Sequence, residues 1–272
     1  MVWQAQRGAA VEASLWRRRA RDGRSAPGGG VQGGGGGDGP AERGGDVVVG
    51  RAHGDETAME VPLGWWLTSL KSVDFVISDA DLVCGSQALS NAKHLTPCPD
   101  PSSCTTSSPS RPSLPPVFHR HIDASELTVG IYLQSETLWF LPPFTSDLLD
   151  PTGPQLPSQF TFASDGTALP PWRPGRGQGV FKGDLYPVVV LRSHTLLEAF
   201  LRLYARDTGK EVGSFGMAMI AYVELYVDSD GFLESDKLPE PLRSFYAEIR
   251  SDSMAKSVRQ WTQELKEALG CA

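Results

Sequence analysis

Val73, Phe75 and Ile77 alternate with Asp74 and Val76, the two-residue period of a strand with one apolar face buried. Ser78 and Asp79 follow as helix-capping residues, and Leu82, Ala88, Leu89 and Ala92 recur at helical spacing, so a strand–helix unit is predicted. Leu127, Val129, Ile131 and Leu133 alternate again. The Gln134–Ser135–Glu136 connection then leads into Thr137–Leu141, where Leu138 and Phe140 flank Trp139, and the pair reads as a β-hairpin. Phe160–Ala163 and Pro187–Leu191 add short strands around a Gly/Pro-rich excursion.

From Ser193 the period becomes helical. Leu196, Leu197, Phe200, Leu201 and Tyr204 form a wide apolar stripe that stops at Gly209. Phe215–Val227 is apolar all round except at Glu224, the mark of a helix buried on most sides, and Arg202 or Arg206 is the expected ion-pair partner of that acid. Leu238, Leu242, Phe245 and Ile249 define a further amphipathic helix, and Met254, Val258, Trp261 and Leu265 define another. The class expected is therefore α+β: a small mixed β-sheet with a hairpin, followed by a C-terminal helical bundle over 193–272 that packs on the sheet.

Composition changes this picture at two places. Residues 1–57 hold 15 of the 29 glycines, including the run Gly33–Gly37, and cannot bury enough apolar surface to offset the entropy of ordering. A disordered N-terminus is expected there, with the sheet region over 58–192. Thr96–Pro116 contains seven prolines and six serines and reads as a long loop inserted between structured elements. The chain carries a net charge of −7; residues 1–57 have eight Lys/Arg against seven Asp/Glu, so the remainder is at −8. That acidity argues against an extended nucleic-acid face. No apolar run reaches the roughly 18 residues that a membrane span needs, so no membrane partner is expected. Arg17, Arg18, Arg19 and Arg21 resemble part of a mitochondrial presequence, but the glycines that follow interrupt the helix such a signal requires, and a cytoplasmic location is expected.

Several constellations suggest chemistry. In Trp172–Gly179 and the following Lys182, glycines permit close backbone approach, and Arg173, Arg176 and Lys182 are candidates for holding a phosphate or nucleotide; plain turn formation is the competing explanation. His94, Cys98, Cys104, His119 and His121 are potential zinc ligands, and a His-x-His pair on a strand points both rings to one face. Neither cysteine has a close partner at finger or ribbon spacing, and both sit in the Pro/Ser-rich loop, so no metal site is expected. Asp228–Gly231 imitates part of a calcium loop, but Tyr226 and Lys237 fall where carboxylates are required, which leaves an acidic turn between helices. Ser193-His194 lacks the glycine pattern of a hydrolase elbow.

The stretch Thr68, Lys71, Asp74, Phe75, Val76, Ile77 and Asp81-Leu82 resembles the second strand and following helix of a divergent nucleotidyltransferase-like family of fungal proteins. The resemblance implies a cleft beside the strand acid, with Asp74 as the candidate catalytic group and Mg2+ as the ion held against nucleotide phosphates. Active members carry two acids alternating along this strand; here the second position is Val76, which implies a catalytically degenerate fold that retains nucleotide or phosphate binding. An active magnesium-dependent transferase that recruits Asp123 or Glu126 is one alternative. Another is a protein-interaction module presenting Trp65, Trp66, Trp139 and Trp172.

Overall fold

The computed structural model describes residues 2–3, 72–104, 106, 114–145, 156–171, 188–210, 213–251 and 254–271. The strands are β1 (Val2–Trp3), β2 (Ser72–Ile77), β3 (Leu95–Thr96), β4 (Phe118–Ile122), β5 (Thr128–Leu133), β6 (Phe160–Phe162) and β7 (Val189–Leu191). They form one mixed sheet in the order β3-β4-β5-β2-β1-β7-β6. β2 runs parallel to β5, β1 is antiparallel to β2 and parallel to β7, and β4 is antiparallel to β5. β1 lies within the segment expected to be disordered, and the rest of residues 1–57 falls outside the described residues.

The strand–helix unit forms as the alternation requires. Ser78 accepts the Ala80 N–H, a 3-10 turn covers Asp79–Asp81, and helix α1 runs from Leu82 to Asn91. Phe75, Val129 and Ile131 meet Leu89 on the face that α1 covers. Val76 and Tyr132 point to the opposite face and pack with Leu138, Phe144, Phe160 and Ala199.

The hairpin lies elsewhere than the sequence pattern places it. The antiparallel neighbour of β5 is β4, with Phe118 opposite Ile131 and His119 opposite Gly130. After β5 the chain forms a single helical turn, α2 (Gln134–Thr137), instead of a second strand. Gln134 is the cause. Its buried amide donates to the carbonyls of Leu141 (3.3 Å) and Pro142 (2.7 Å) and accepts the Phe144 N–H (2.8 Å). Backbone groups that a hairpin would have paired are thereby met by one side chain. Trp139 and Phe140 then lie under the guanidinium groups of Arg206 and Arg202, at 4.7 and 4.8 Å.

Helices α3 (Ser193–Asp207), α4 (Gly213–Val223), α5 (Leu242–Arg250) and α6 (Val258–Ala268) form the C-terminal region. α3 joins the two halves: Ala199 packs into the sheet cluster, while Leu197, Phe200 and Leu201 belong to the helical core. Trp261 is fully buried in that core, and its indole N–H donates to the Phe245 carbonyl at 3.1 Å. Arg202 pairs with Glu198 and Arg206 with Asp207, acids other than the Glu224 that the sequence pattern suggested. Glu224 is half-buried and begins the π-helical turn Glu224–Asp228 that follows α4. Asp228 accepts from the Tyr246 hydroxyl (2.9 Å) and pairs with Arg250 (2.9 Å), which accounts for its place in the acidic turn without a bound ion.

α3 and α4 touch at Gly216. A β-carbon there would stand 2.8 Å from Tyr204 Cβ and 2.9 Å from its Cα, so the helix axes would have to separate. Gly216→Ala is expected to cost about 2 kcal/mol in urea unfolding despite the better helix propensity of alanine; a stabilised variant would show that the contact is not tight.

Candidate metal centre

Four side chains that lie up to 23 positions apart in the chain converge beside β4. Cys98, Cys104, His119 and His121 each offer one ligand atom, and these atoms all lie within 4.8 Å of one another. His119 and His121 occupy alternate positions on β4, so strand geometry puts both rings on one face. Cys98 follows the two-residue strand β3, which pairs with β4 through Leu95–Ile122 and Thr96–His121. That pairing carries the start of the Pro/Ser-rich loop alongside the histidines.

A compact turn returns the chain for the second cysteine. Asp100 accepts from the Ser102 N–H (3.0 Å) and hydroxyl (2.6 Å), and the Cys104 N–H closes onto the Asp100 carbonyl (2.9 Å). Hydrogen bonds from Ser102 and Ser103 hold the Asp100 carboxyl down to about 2. Cys104 is buried and the other three ligands are half-buried. Its Sγ lies 3.6 Å from His119 Nε2 and 3.5 Å from His121 Nε2, and it accepts the Thr106 N–H at 3.4 Å. Burial, reinforced by the neighbouring Cys104, pushes the Cys98 thiol up.

The two sulfur–nitrogen distances from Cys104 match those on a tetrahedral zinc ion, whereas the widest separation, within 4.8 Å, has to shorten for all four atoms to share one. With Zn–S about 2.3 Å and Zn–N about 2.05 Å, a sulfur and a nitrogen on one such ion stand about 3.6 Å apart. Two thiolates and two imidazoles in this arrangement favour zinc over harder cations. Among the described residues four such donors meet, which is the composition of a structural centre and not of one that keeps a position open for substrate. His94, the fifth residue considered from sequence, is exposed in the turn before β3, where its carbonyl accepts the Asp123 N–H. Spacing did not reveal the centre because its halves are joined by a β-ladder; the legible signal was His-x-His on a strand.

The same sheet face carries the strand acid. Asp74 and Gly130 are register partners, and Gly130 pairs in turn with His119. Asp74 is 1% exposed, with the Ser72 hydroxyl donating to its Oδ2 at 3.2 Å. Its Oδ1 leans over Gly130, where a β-carbon would stand 3.2 Å from it and 3.2 Å from Pro116. Thr106 meets Thr128, hydroxyl to hydroxyl, at 3.1 Å, and the Val117 N–H bonds to the Ile131 carbonyl at 2.8 Å. The two ends of the loop therefore lie across the face on which Asp74 stands. Asp79 and Asp81 belong to the turn before α1, and Asp79 accepts the Ser135 N–H at 3.1 Å. Asp123 and Glu126 are exposed in the β4–β5 turn. Arg173, Arg176 and Lys182 lie outside the described residues, as do Trp65, Trp66 and Trp172; Trp139 is 38% exposed.

Ser193-His194 has a structural place. His194 Nδ1 stands 3.1 Å from Glu234 Oε2, Arg192 and Lys237 hold the other oxygen, and Ser193 Oγ donates to the Phe232 carbonyl at 2.9 Å. The group fastens the start of α3 to the segment that precedes α5. Comparison with protein-family models, curated proteins and solved structures gives no match to this chain. Fold and site together define a mixed α+β protein with a Cys2His2 cluster.

Burial holds the His194 imidazole below its ordinary range, although Glu234 pulls the other way. The unfolded chain therefore binds more protons than the folded one, and stability is lost as pH falls through the ordinary histidine range. In chelator-treated protein, Tm is expected to fall between about pH 7.5 and 5.5, and His194→Gln to flatten that slope. An unchanged slope in the variant would assign the effect to other groups.

Proposed function

We propose that this chain is a zinc-binding α+β protein in which Cys98, Cys104, His119 and His121 form a closed structural centre. The observation that carries the reading is their convergence, with sulfur-to-nitrogen distances of 3.5 and 3.6 Å from Cys104 to the two imidazoles. The centre's role is to fasten the loop after β3 to the face of β4 and β5. Ordering a proline- and serine-rich segment of this length costs conformational entropy that its few apolar side chains do not offset, and metal coordination supplies the missing free energy.

The full chain is expected to take up one equivalent of zinc, and one of cobalt with the absorption bands of a tetrahedral thiolate site. Zinc is expected to raise Tm with the logarithm of its concentration once that exceeds Kd. Cys104→Ser and His121→Ala are each expected to weaken zinc binding by more than about a hundredfold, because loss of an outer-shell partner alone costs 10–100-fold. Because metal binding displaces protons from its ligands, uptake is expected to weaken as pH is lowered. Absence of stoichiometric zinc, or wild-type affinity in Cys104→Ser, sinks the reading.

A second reading keeps the nucleotidyltransferase-like kinship, with a nucleotide or phosphate held by Arg173, Arg176 and Lys182 and catalysis lost. It is supported by the strand–helix unit Ser72–Asn91 with Asp74 at mid-strand in the sheet. Burial of Asp74 weighs against a magnesium ion at that carboxylate. A rise in Tm with millimolar nucleoside triphosphate, abolished in Arg173→Ala/Arg176→Ala, is the expected result; no shift with or without magnesium removes it.

A further inference from the structure

The two cysteines of the centre are unequal. Cys104 is buried, closes the 100–104 turn with its own N–H, and accepts the Thr106 N–H at its sulfur. Cys98 is half-buried and lies in irregular chain between Pro97 and Pro99, past the end of β3. Its flanking prolines carry no backbone N–H to tie that stretch to the sheet. Their sulfurs, like all the ligand atoms, lie within 4.8 Å of each other, whereas a disulfide needs about 2.05 Å. The sulfurs are thus less than about 3 Å from bonding distance, and Cys98 lies outside the β3–β4 ladder.

We propose that the centre is a peroxide-responsive zinc switch: oxidation joins Cys98 to Cys104 and releases the ion. The inference rests on the zinc reading above and goes beyond it, since a purely structural centre need not be reversible. The Cys98 thiolate attacks one oxygen of hydrogen peroxide; the O–O bond breaks, the sulfur becomes a sulfenic acid, and hydroxide leaves to be protonated to water. The Cys104 thiolate then attacks that sulfur, the S–O bond breaks, and a second hydroxide takes a proton. In sum, two thiolates, one peroxide and two protons give one disulfide and two waters. The sulfurs are oxidised and the peroxide oxygens reduced. Two imidazoles alone remain as ligands, half of the tetrahedral set, and the ion leaves.

Cys84, exposed on α1, and the half-buried Cys271 supply internal comparisons. The test uses the full chain loaded with zinc, titrated with hydrogen peroxide, with release read by a chromogenic chelator and thiols mapped by alkylation and peptide mass spectrometry. One zinc is expected to appear per Cys98–Cys104 disulfide formed, with the same yield in Cys84→Ser/Cys271→Ser, and dithiothreitol plus zinc is expected to restore the starting state. Cys98→His keeps a fourth ligand but cannot form the disulfide; it is expected to bind zinc and to lose it at least about tenfold more slowly. Zinc retained after Cys84 is fully oxidised overturns the switch while leaving the centre intact. Release with Cys98 and Cys104 still open to alkylation overturns it equally. A chain that never takes up zinc removes the centre itself, an outcome distinct from retention.

Discussion

One face of the sheet presents Ser72, Asp74, Thr128, His119 and His121 side by side across three strands, and most of this polar row is covered by protein. Burying such groups is unfavourable unless each finds a partner. Among the described residues, the partners near β4 on that side come from the two ends of the segment between β3 and β4. Thr106 answers Thr128, Cys104 answers both histidines, and Pro116 closes over Gly130. Fold and site are therefore the same problem: an irregular, weakly apolar segment has to stay on a polar sheet face.

The opposite face needs no such device. Phe75, Val129 and Ile131 bury against α1 in the ordinary manner of an amphipathic layer, and Gly85 lets the helix approach, with a β-carbon there meeting Ile77 at 3.1 Å. The helical region has its own core around Trp261 and Phe200 and is joined to the sheet through α3. Arg202 and Arg206 extend that joint by stacking on Phe140 and Trp139. Disturbing the Cys2His2 cluster would thus act first on the loop and the outer strands, and only then on the bundle.

Among the described residues no helix is long and apolar enough to cross a membrane. The sheet and bundle pattern accounts for the apolar residues, and the distinctive chemistry is concentrated where sequence periodicity is lowest. A proline- and serine-rich loop has neither a helical nor a strand period, so nothing in its local pattern reports that its two ends meet the same strand face.

Periodicity alone determined much of this protein. The alternation of Val73, Phe75 and Ile77 against Asp74, the cap at Ser78, the apolar stripes of α3 to α6 and the terminating Gly209 (φ +91°) are local properties, set by backbone geometry and by which residues tolerate it. Tertiary structure decided the rest. Gln134 ended β5 because its amide found three backbone groups that lie seven to ten residues away. The Cys2His2 cluster arose because β3 pairs with β4 and the Asp100 turn reverses the chain. Both depend on contacts between segments distant in sequence, and no spacing rule along a chain encodes which strands will be neighbours.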